Sequence, residues 1–373
     1  MRAVCHIGHH KTGTTSLQAF LSQNSHRLLQ AGILYPWVES QGAAVALGKA
    51  VRGGDFAAML PFNVREAQNA LAFRMLADTL PGWKVPPYHN DLPHSRQMLL
   101  AIRNQCSTLS PDQVVLCSEV MSHFGKSAPD QIARLRNVGL ELAQDFTLWC
   151  TLRRPDEQLV SWHGQQIRFG QAPKALSEPG GLNLDWLHVD YRGVVEPWLQ
   201  QIPRAGVILR PYGESLDHGG SVADFQRHAE IAFPKGLLPV SALNVGFKPA
   251  VLSLLRRANK DLPGPLAKTL AHEARTLTKG LTLAATAEVE FLGEAARARL
   301  VAHFRPIHDW LSQVSSRKAF FADFEAMAEC RPIPEAEALR QMLDQLTPDR
   351  IARLSDPALR DYVSGLQVQS PAS

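Results

Sequence analysis

The chain of 373 residues sets 39 Lys and Arg against 35 Asp and Glu, a formal charge of +4; the basic residues are scattered among acidic ones, so no stripe suited to nucleic acid is present. With 45% hydrophobic and 20% charged residues, 25 Gly and 25 Pro, collagen-like, low-complexity and disordered classes are excluded, and the length suits one large domain or two modest ones. The opening MRAVCHIGHH lacks the apolar run of a signal peptide, and no later stretch has the uninterrupted apolar length of a spanning helix. The expectation is a soluble, cytoplasmic protein without a transmembrane segment. Cys5, Cys106, Cys117, Cys150 and Cys330 show no CxxC spacing and are expected as buried thiols, with no disulfide or zinc framework.

In chain order, the first strand is predicted over residues 3–7. A glycine turn follows, and then a helix from near Thr14 to just before Gly32, with Leu17, Phe20, Leu21, Leu28 and Leu29 at helical spacing. A weaker strand is expected over 32–35. Residues 37–112 read as a loop-rich insertion, marked by Pro81-Gly82-Trp83 and Pro86-Pro87-Tyr88, where an acceptor-binding surface could lie. Strands are predicted over 114–117, 146–152 and 206–209, and a helix from Pro155 with Asp156 and Glu157 favourably placed in its first turn. The strands are nearly continuous apolar runs, the pattern of strands buried on both faces of a parallel sheet. Beyond Pro239 only helical patterns are read, over 251–259, 266–277, 288–304 and 334–346. The fold class is therefore α/β, three-layer α/β/α with a central parallel sheet. Residues 1–240 form the expected core, 241–366 a helical portion packed on it, and 367–373 a flexible tail.

The most informative segment is His6-Ile7-Gly8-His9-His10-Lys11-Thr12-Gly13-Thr14-Thr15-Ser16. Placed between a buried strand and a helix, it is an anion site: backbone N–H groups and the positive end of the helix dipole converge there, and the hydroxyls of Thr14 and Thr15 add donors. Gly8 and Gly13 keep the glycine spacing of a nucleoside-triphosphate loop, but Thr14 stands where the lysine belongs and the lysine has moved to Lys11. No apolar strand ends in a magnesium-binding Asp; the third major strand ends in Arg153-Arg154. ATP hydrolysis and kinase chemistry are thereby disfavoured. His6, His9 and His10 lack a carboxylate or Cys at ligand spacing, so no metal is expected.

The loop His10-Lys11-Thr12-Gly13-Thr14-Thr15 resembles that of sulfotransferases that use 3′-phosphoadenosine 5′-phosphosulfate (PAPS), in particular bacterial members. A second segment, Arg153-Arg154-Pro155 through Ser161, is similar to that family's 3′-phosphate motif. Weaker likenesses lie at Asp190-Tyr191 with Trp198, at Leu209-Arg210-Pro211-Tyr212, and at Phe304-Arg305 ahead of Trp310-Leu311. The resemblance implies a P-loop-related fold, PAPS as sulfuryl donor and the desulfated nucleotide PAP as product. It implies cofactor contacts from Lys11, Thr12, Gly13, Thr14, Thr15, Ser16, Arg153 and Ser161, with a hydroxyl or amine acceptor, a carbohydrate being one candidate. Two departures stand out: Ser16 occupies the place of an adenine-stacking aromatic, and the Arg-Lys-Gly closing loop has no clear copy, residues 244–248 lying in its region.

Sulfuryl transfer needs in-line attack and stabilisation of charge on the leaving oxygen. Lys11 is the candidate cation for that oxygen, and Arg153 with Ser161 the holders of the 3′-phosphate. Glu119, at the end of the strand over 114–117, is the first choice of base, with His10 and His9 as alternatives. Arg154, Tyr191 and Trp198 are read as structural. A P-loop kinase or NTPase-like enzyme and a non-catalytic nucleotide-binding protein are the competing functions. Acceptor and oligomeric state are not specified by the residues.

Overall fold

The computed structural model describes residues 1–53, 60–240 and 246–368. In chain order its main elements are β1 (Arg2–His6), α1 (Thr14–Gln23), α2 (Ser25–Gln30), β2 (Ile33–Leu34), α3 (Ser40–Arg52), α4 (Phe62–Arg65), α5 (Ala67–Ala77), α6 (Ser95–Leu109), β3 (Gln113–Cys117), α7 (Ser122–Ser127), α8 (Asp130–Arg134), β4 (Asp145–Leu152), α9 (Pro155–Arg168), α10 (Tyr191–Gln201), β5 (Gly206–Pro211), α11 (Tyr212–Asp217) and α12 (Ser221–His228). They continue with α13 (Pro249–Asp261), α14 (Gly264–Leu277), β6 (Val289–Glu290), α15 (Glu294–Val314), β7 (Ile333–Pro334), α16 (Glu335–Asp344), α17 (Pro348–Ile351) and α18 (Pro357–Val368). Two compact units result, one of Met1–Arg154, Asp185–Leu243 and Arg305–Ala322, the other of Pro155–Leu184, Asn244–Phe304 and Asp323–Ser373. Among the described residues no helix is long and apolar enough to cross a membrane.

The first unit holds a five-stranded, all-parallel sheet of order β2-β3-β1-β4-β5. This is the three-layer α/β/α class. Buried strand positions alternate between two helical layers: Val4, Val115, Cys117 and Trp149 pack with Leu17, Leu21, Leu28 and Phe225 of α1, α2 and α12, while Cys5 meets Met121 on the opposite face. The chain leaves β1 for β2, returns to β3, and then crosses to β4 on the other side of β1. The carboxyl end of β1 is thus a topological switch point, where open α/β sheets gather ligands.

Several local readings need correction. The first helix breaks at Asn24, whose side chain donates to Phe20 O at 2.9 Å and Leu238 O at 3.0 Å and accepts from Leu238 N at 2.8 Å; it spends its amide on a remote segment and starts α2 afresh. Residues 37–112, read as loops, contain α3, α4, α5 and α6, because Pro and Gly mark the connections and conceal amphipathic stretches between them. Cys330 is exposed, unlike the other four thiols. Beyond Pro239 a two-stranded parallel pair, β6 with β7, does occur; strands of two residues carry no periodic signal. The last residues 369–373 of the expected tail lie outside the described residues.

In the second unit, α9 packs on α13 where Gly164 leaves room for Leu252, a Cβ there falling 2.9 Å from Leu252 Cδ1. Arg297, 3% exposed, is held by Glu290 at 2.9 and 3.0 Å, by Asp156 at 3.5 Å and by Met327 O at 2.9 Å. A buried guanidinium so fully paired avoids the large cost of an uncompensated charge.

Candidate functional site

The turn between β1 and α1 is anchored to β4 by its backbone: His9 N donates to Thr151 O and Thr151 N to Gly8 O, both at 2.7 Å. Lys11 and Gly13 adopt left-handed backbone, at φ 65° and 81°, which curls the chain so that α1 begins facing the sheet edge. Gly13 has a second reason to be glycine, since a Cβ there would collide with Ser221 Oγ. That hydroxyl donates to Thr12 O at 2.8 Å and clamps the turn from α12. Ser16 N and Leu17 N both donate to Gly13 O. The N–H groups of Gly13, Thr14 and Thr15 donate to no protein oxygen among the described residues, so donors remain at a helix start where the dipole favours an anion. The hydroxyls of Thr12 and Thr14 instead point inward, to His9 O at 2.6 and 3.4 Å. Of the expected hydroxyl donors, Thr15 and Ser16 keep partly exposed positions.

Arg153 follows the last residue of β4, the strand hydrogen-bonded to β1. Its guanidinium lies 5.5 Å from the centroid of Tyr212, a ring that would also meet a Cβ on Gly13 at 4.0 Å. Tyr212 is therefore a neighbour of both the turn and the arginine. The Arg153 carbonyl accepts from Tyr191 Oη at 2.6 Å, which gives Tyr191 a structural task, as expected; Trp198 stacks on Phe124 at 6.2 Å. Arg154 is buried. Ser161 lies on α9 in the second unit, so the first unit by itself gathers Lys11, Thr12, Gly13, Thr14, Thr15, Ser16, His10, Glu119 and Arg153. In the region expected to close over the cofactor, Asn244 and Val245 lie outside the described residues.

Glu119 follows β3 and opens a short 3-10 turn capped by Ser118 Oγ, which accepts from Val120 N at 3.2 Å. The 3-10 turn sits directly against the turn between β1 and α1, since a Cβ on Gly8 would fall 2.8 Å from Glu119 Cα. Its carboxylate accepts from Gln18 Nε2 at 2.9 Å and from Asn69 Nδ2 at 3.3 Å. Burial and, less strongly, the neighbouring Glu66 carboxylate push its pKa up to about 7, against the hydrogen bonds from Asn69 and Gln18 that favour the ionised form. A carboxylate in that range is poised for proton transfer near neutrality.

His10 belongs to a cluster that the sequence did not disclose. Its Nε2 lies 3.1 Å from His123 Nε2, so one ring donates to the other, and its ring centroid is 5.7 Å from His9 and 5.5 Å from His188. Trp83, from the 37–112 segment, packs edge-on against His123 at 5.1 Å. Burial, followed by repulsion from the other rings and Lys11, holds the His10 pKa well below its ordinary value; burial likewise lowers His9 and His123 to about 4. These rings are neutral at pH 7. Rings held this far below their ordinary value are less basic than the Glu119 carboxylate.

No protein-family model and no curated protein matches the chain. A crystal structure of a sulfotransferase from Alicyclobacillus acidocaldarius is similar to it at 14% identity, covering 86% of this chain and 98% of that one, with a TM-score of 0.37.

Gln18, Glu66, Asn69, His123, His188 and Ser221 are the site neighbours that sequence reading missed, while Tyr212 stood out only within a weaker family likeness. Gln18 had a detectable signal, lying one turn beyond Thr14 on a helix already predicted. The others come from separate segments and converge only through the fold.

Proposed function

We propose that this chain is a PAPS-dependent sulfotransferase that acts on a hydroxyl or amine. The observation that carries the reading is that the turn holding Lys11 and Gly13 and the residue Arg153 follow neighbouring strands β1 and β4, with Tyr212 close to both Gly13 and Arg153 and a buried carboxylate after β3. Open N–H donors at the start of α1 and two cations suit a ligand with two separated anionic groups better than a triphosphate.

When bound, PAPS supplies an activated sulfuryl group whose bridging oxygen is the leaving atom. The N–H groups of Gly13, Thr14 and Thr15 hold its 5′ anionic end, and Arg153 its 3′-phosphate, the role that the motif also assigns to Ser161. Lys11 donates a charge-assisted hydrogen bond to the oxygen on which charge develops. Glu119 would take the proton of the acceptor hydroxyl or amine, while the cofactor would supply the sulfuryl group and leave as PAP. The edge-on packing of Trp83 against His123 supports a part for the 37–112 segment in receiving the acceptor.

Melting curves with PAP, ATP plus magnesium, GTP and NAD test the reading, because a ligand that binds the native state raises its melting temperature. PAP is expected to stabilise most. A clear shift with ATP plus magnesium and none with PAP would sink the assignment.

A further inference from the structure

Past β5 the chain reads His218-Gly219-Gly220, followed by Asp224 and His228 four residues apart on α12. That spacing puts the last two on one helical face. Gly219 and Gly220, at φ 91° and 96°, adopt backbone open mainly to glycine and turn the chain back at the end of α11. His218 is thereby brought beside that face, its ring centroid 5.2 Å from the His228 ring. Each of the three residues presents one atom able to ligate a metal, and these atoms lie within 4.8 Å of one another.

Asp224 Oδ1 is 2.9 Å from His218 Nδ1 and 3.7 Å from His228 Nε2. Neighbouring ligands of a tetrahedral zinc ion, with bonds of about 2.0–2.1 Å, stand about 3.3 Å apart, between these two values. His228 Nε2 faces the carboxylate from beyond hydrogen-bonding distance, is buried, and has no hydrogen-bond partner among the described residues. A buried polar atom left in that state calls for a partner. Asp224 is 1% exposed and forms the floor of the group, whereas the side chains of His218 and His228 are about one-third exposed, which gives an ion a way in from solvent.

The remaining contacts of Asp224 fix its carboxylate. Oδ2 accepts from Ser215 Oγ at 2.7 Å and Arg210 Nε at 3.2 Å, and Oδ1 accepts from Arg210 Nη2 at 2.8 Å. Such outer hydrogen bonds orient the carboxylates that bind metals. Arg210 Nη2 also lies 3.3 Å from His218 Nδ1, and its charge opposes an added cation. That charge is shared with Glu214, 3.1 Å from Arg210 Nη1, so Asp224 is not its sole counter-ion.

We propose that His218 Nδ1, Asp224 Oδ1 and His228 Nε2 bind a zinc ion, with water as the fourth ligand. Two imidazoles and one carboxylate suit zinc better than magnesium or calcium, which take oxygen ligands. Each ring ligates through the named nitrogen and keeps its proton on the other. The ion fastens the end of α11 to α12, the helix whose Ser221 clamps Thr12 O. The expectation of no metal concerned His6, His9 and His10, which are separate residues, and the proposal depends on neither the nucleotide nor the reaction proposed above.

The untagged full chain, stripped with a chelator, is titrated with zinc chloride and with magnesium chloride and read by calorimetry and by melting temperature, which rises when an ion binds the native state. The wild type should take up one zinc ion per chain and melt higher with it, and magnesium should do neither. His218→Gln and His228→Gln should each weaken zinc binding by roughly 10–100-fold or more, since loss of an outer-shell partner alone has an effect of that size. His123→Gln, in the separate cluster around His10, should bind zinc as the wild type does. In the wild type, zinc should slow amide exchange over residues 212–228. The proposal is overturned by the absence of zinc uptake, which would leave Arg210 as the cation that completes this group. It is overturned equally by undiminished binding in folded His218→Gln and His228→Gln, or by a loss confined to His123→Gln. Slowed exchange elsewhere and not over 212–228 also overturns it, and that wild-type measurement decides the matter even where a variant folds poorly.

Discussion

Glu66 and Glu119 accept from a single donor, Asn69 Nδ2, which lies 3.2 Å from Glu66 Oε2 and 3.3 Å from Glu119 Oε1. Asn69 also receives the Ser118 hydroxyl at 2.7 Å and Gln18 Nε2 at 3.0 Å on its own oxygen. The amide is thus pinned in one orientation, and it favours the charged form of a carboxylate that burial would keep neutral.

Asn69 is accordingly expected to act as a positioning residue whose loss is visible in the pH–rate profile. The wild-type kcat/KM should rise through the Glu119 pKa of about 7. Asn69→Leu should move that limb upward by roughly half to one pH unit, the equivalent of one ordinary hydrogen bond. Glu119→Gln should erase the limb while leaving PAP affinity intact. An Asn69→Leu profile that falls in height without shifting would show that the amide has only a structural role. Retained turnover in Glu119→Gln together with its loss in His10→Asn would transfer the base to His10.

Arg153→Ala should weaken PAP binding by roughly 1.5–3 kcal/mol, the range for hydrogen bonds to charged groups. Adenosine 5′-phosphosulfate, which lacks the 3′-phosphate, should bind almost as before. Calorimetry with both ligands separates the outcomes, because equal losses would mean that the arginine acts through the turn and Tyr212.

Lys11→Ala is expected to lower single-turnover rates by on the order of 10²–10³, as for removal of one donor to developing charge, with a smaller change in PAP affinity. Affinity falling as far as the rate would indicate uniform binding of ground and transition states.

The histidines give the fold an acid limit. With a folded pKa lowered from 6.5 to about 4 for both His9 and His123, the unfolded chain binds more protons between those values. Their contribution is therefore complete above pH 6.5 and lost as pH falls toward 4. At about 1.4 kcal/mol per pH unit, His9 alone accounts for up to about 3 kcal/mol. Glu119, raised from 4.5 to about 7, acts with the opposite sign, since its ionisation costs stability as pH rises through that interval. The several rings outweigh the one carboxylate, so the melting temperature should drop between pH 7 and pH 5. The drop should be smaller in His188→Gln, whose ring is lowered to about 2; an equal drop would remove His188 from this account.

The sheet was legible in the sequence because each of its four longer strands is an apolar run, and the turn from β1 to α1 because strand, glycines and helix are contiguous. Positions such as Lys11 and Arg153 could be chosen from short motifs for the same reason. Asn69 and Glu66 could not, because they lie on α5 and at its start, in a segment dominated by Pro and Gly signals, and reach Glu119 only through tertiary packing. His123 and His188 are likewise isolated in sequence and meet His9 and His10 only in space. Side-chain convergence of this kind leaves no periodicity to read.

The approach of Gly8 to the main chain of Glu119 has a bearing on how this site can diversify. A cation loop and a base joined through side chains alone could be re-spaced by changing those side chains. Here their separation is set by backbone lying on backbone, with 2.8 Å left for a Cβ that glycine does not have. Under the proposed sulfuryl transfer, the reach between the donor end and the proton-accepting end would be a fixed gauge, and adaptation to a larger or differently shaped acceptor would fall to surrounding residues such as Trp83 and not to this pair.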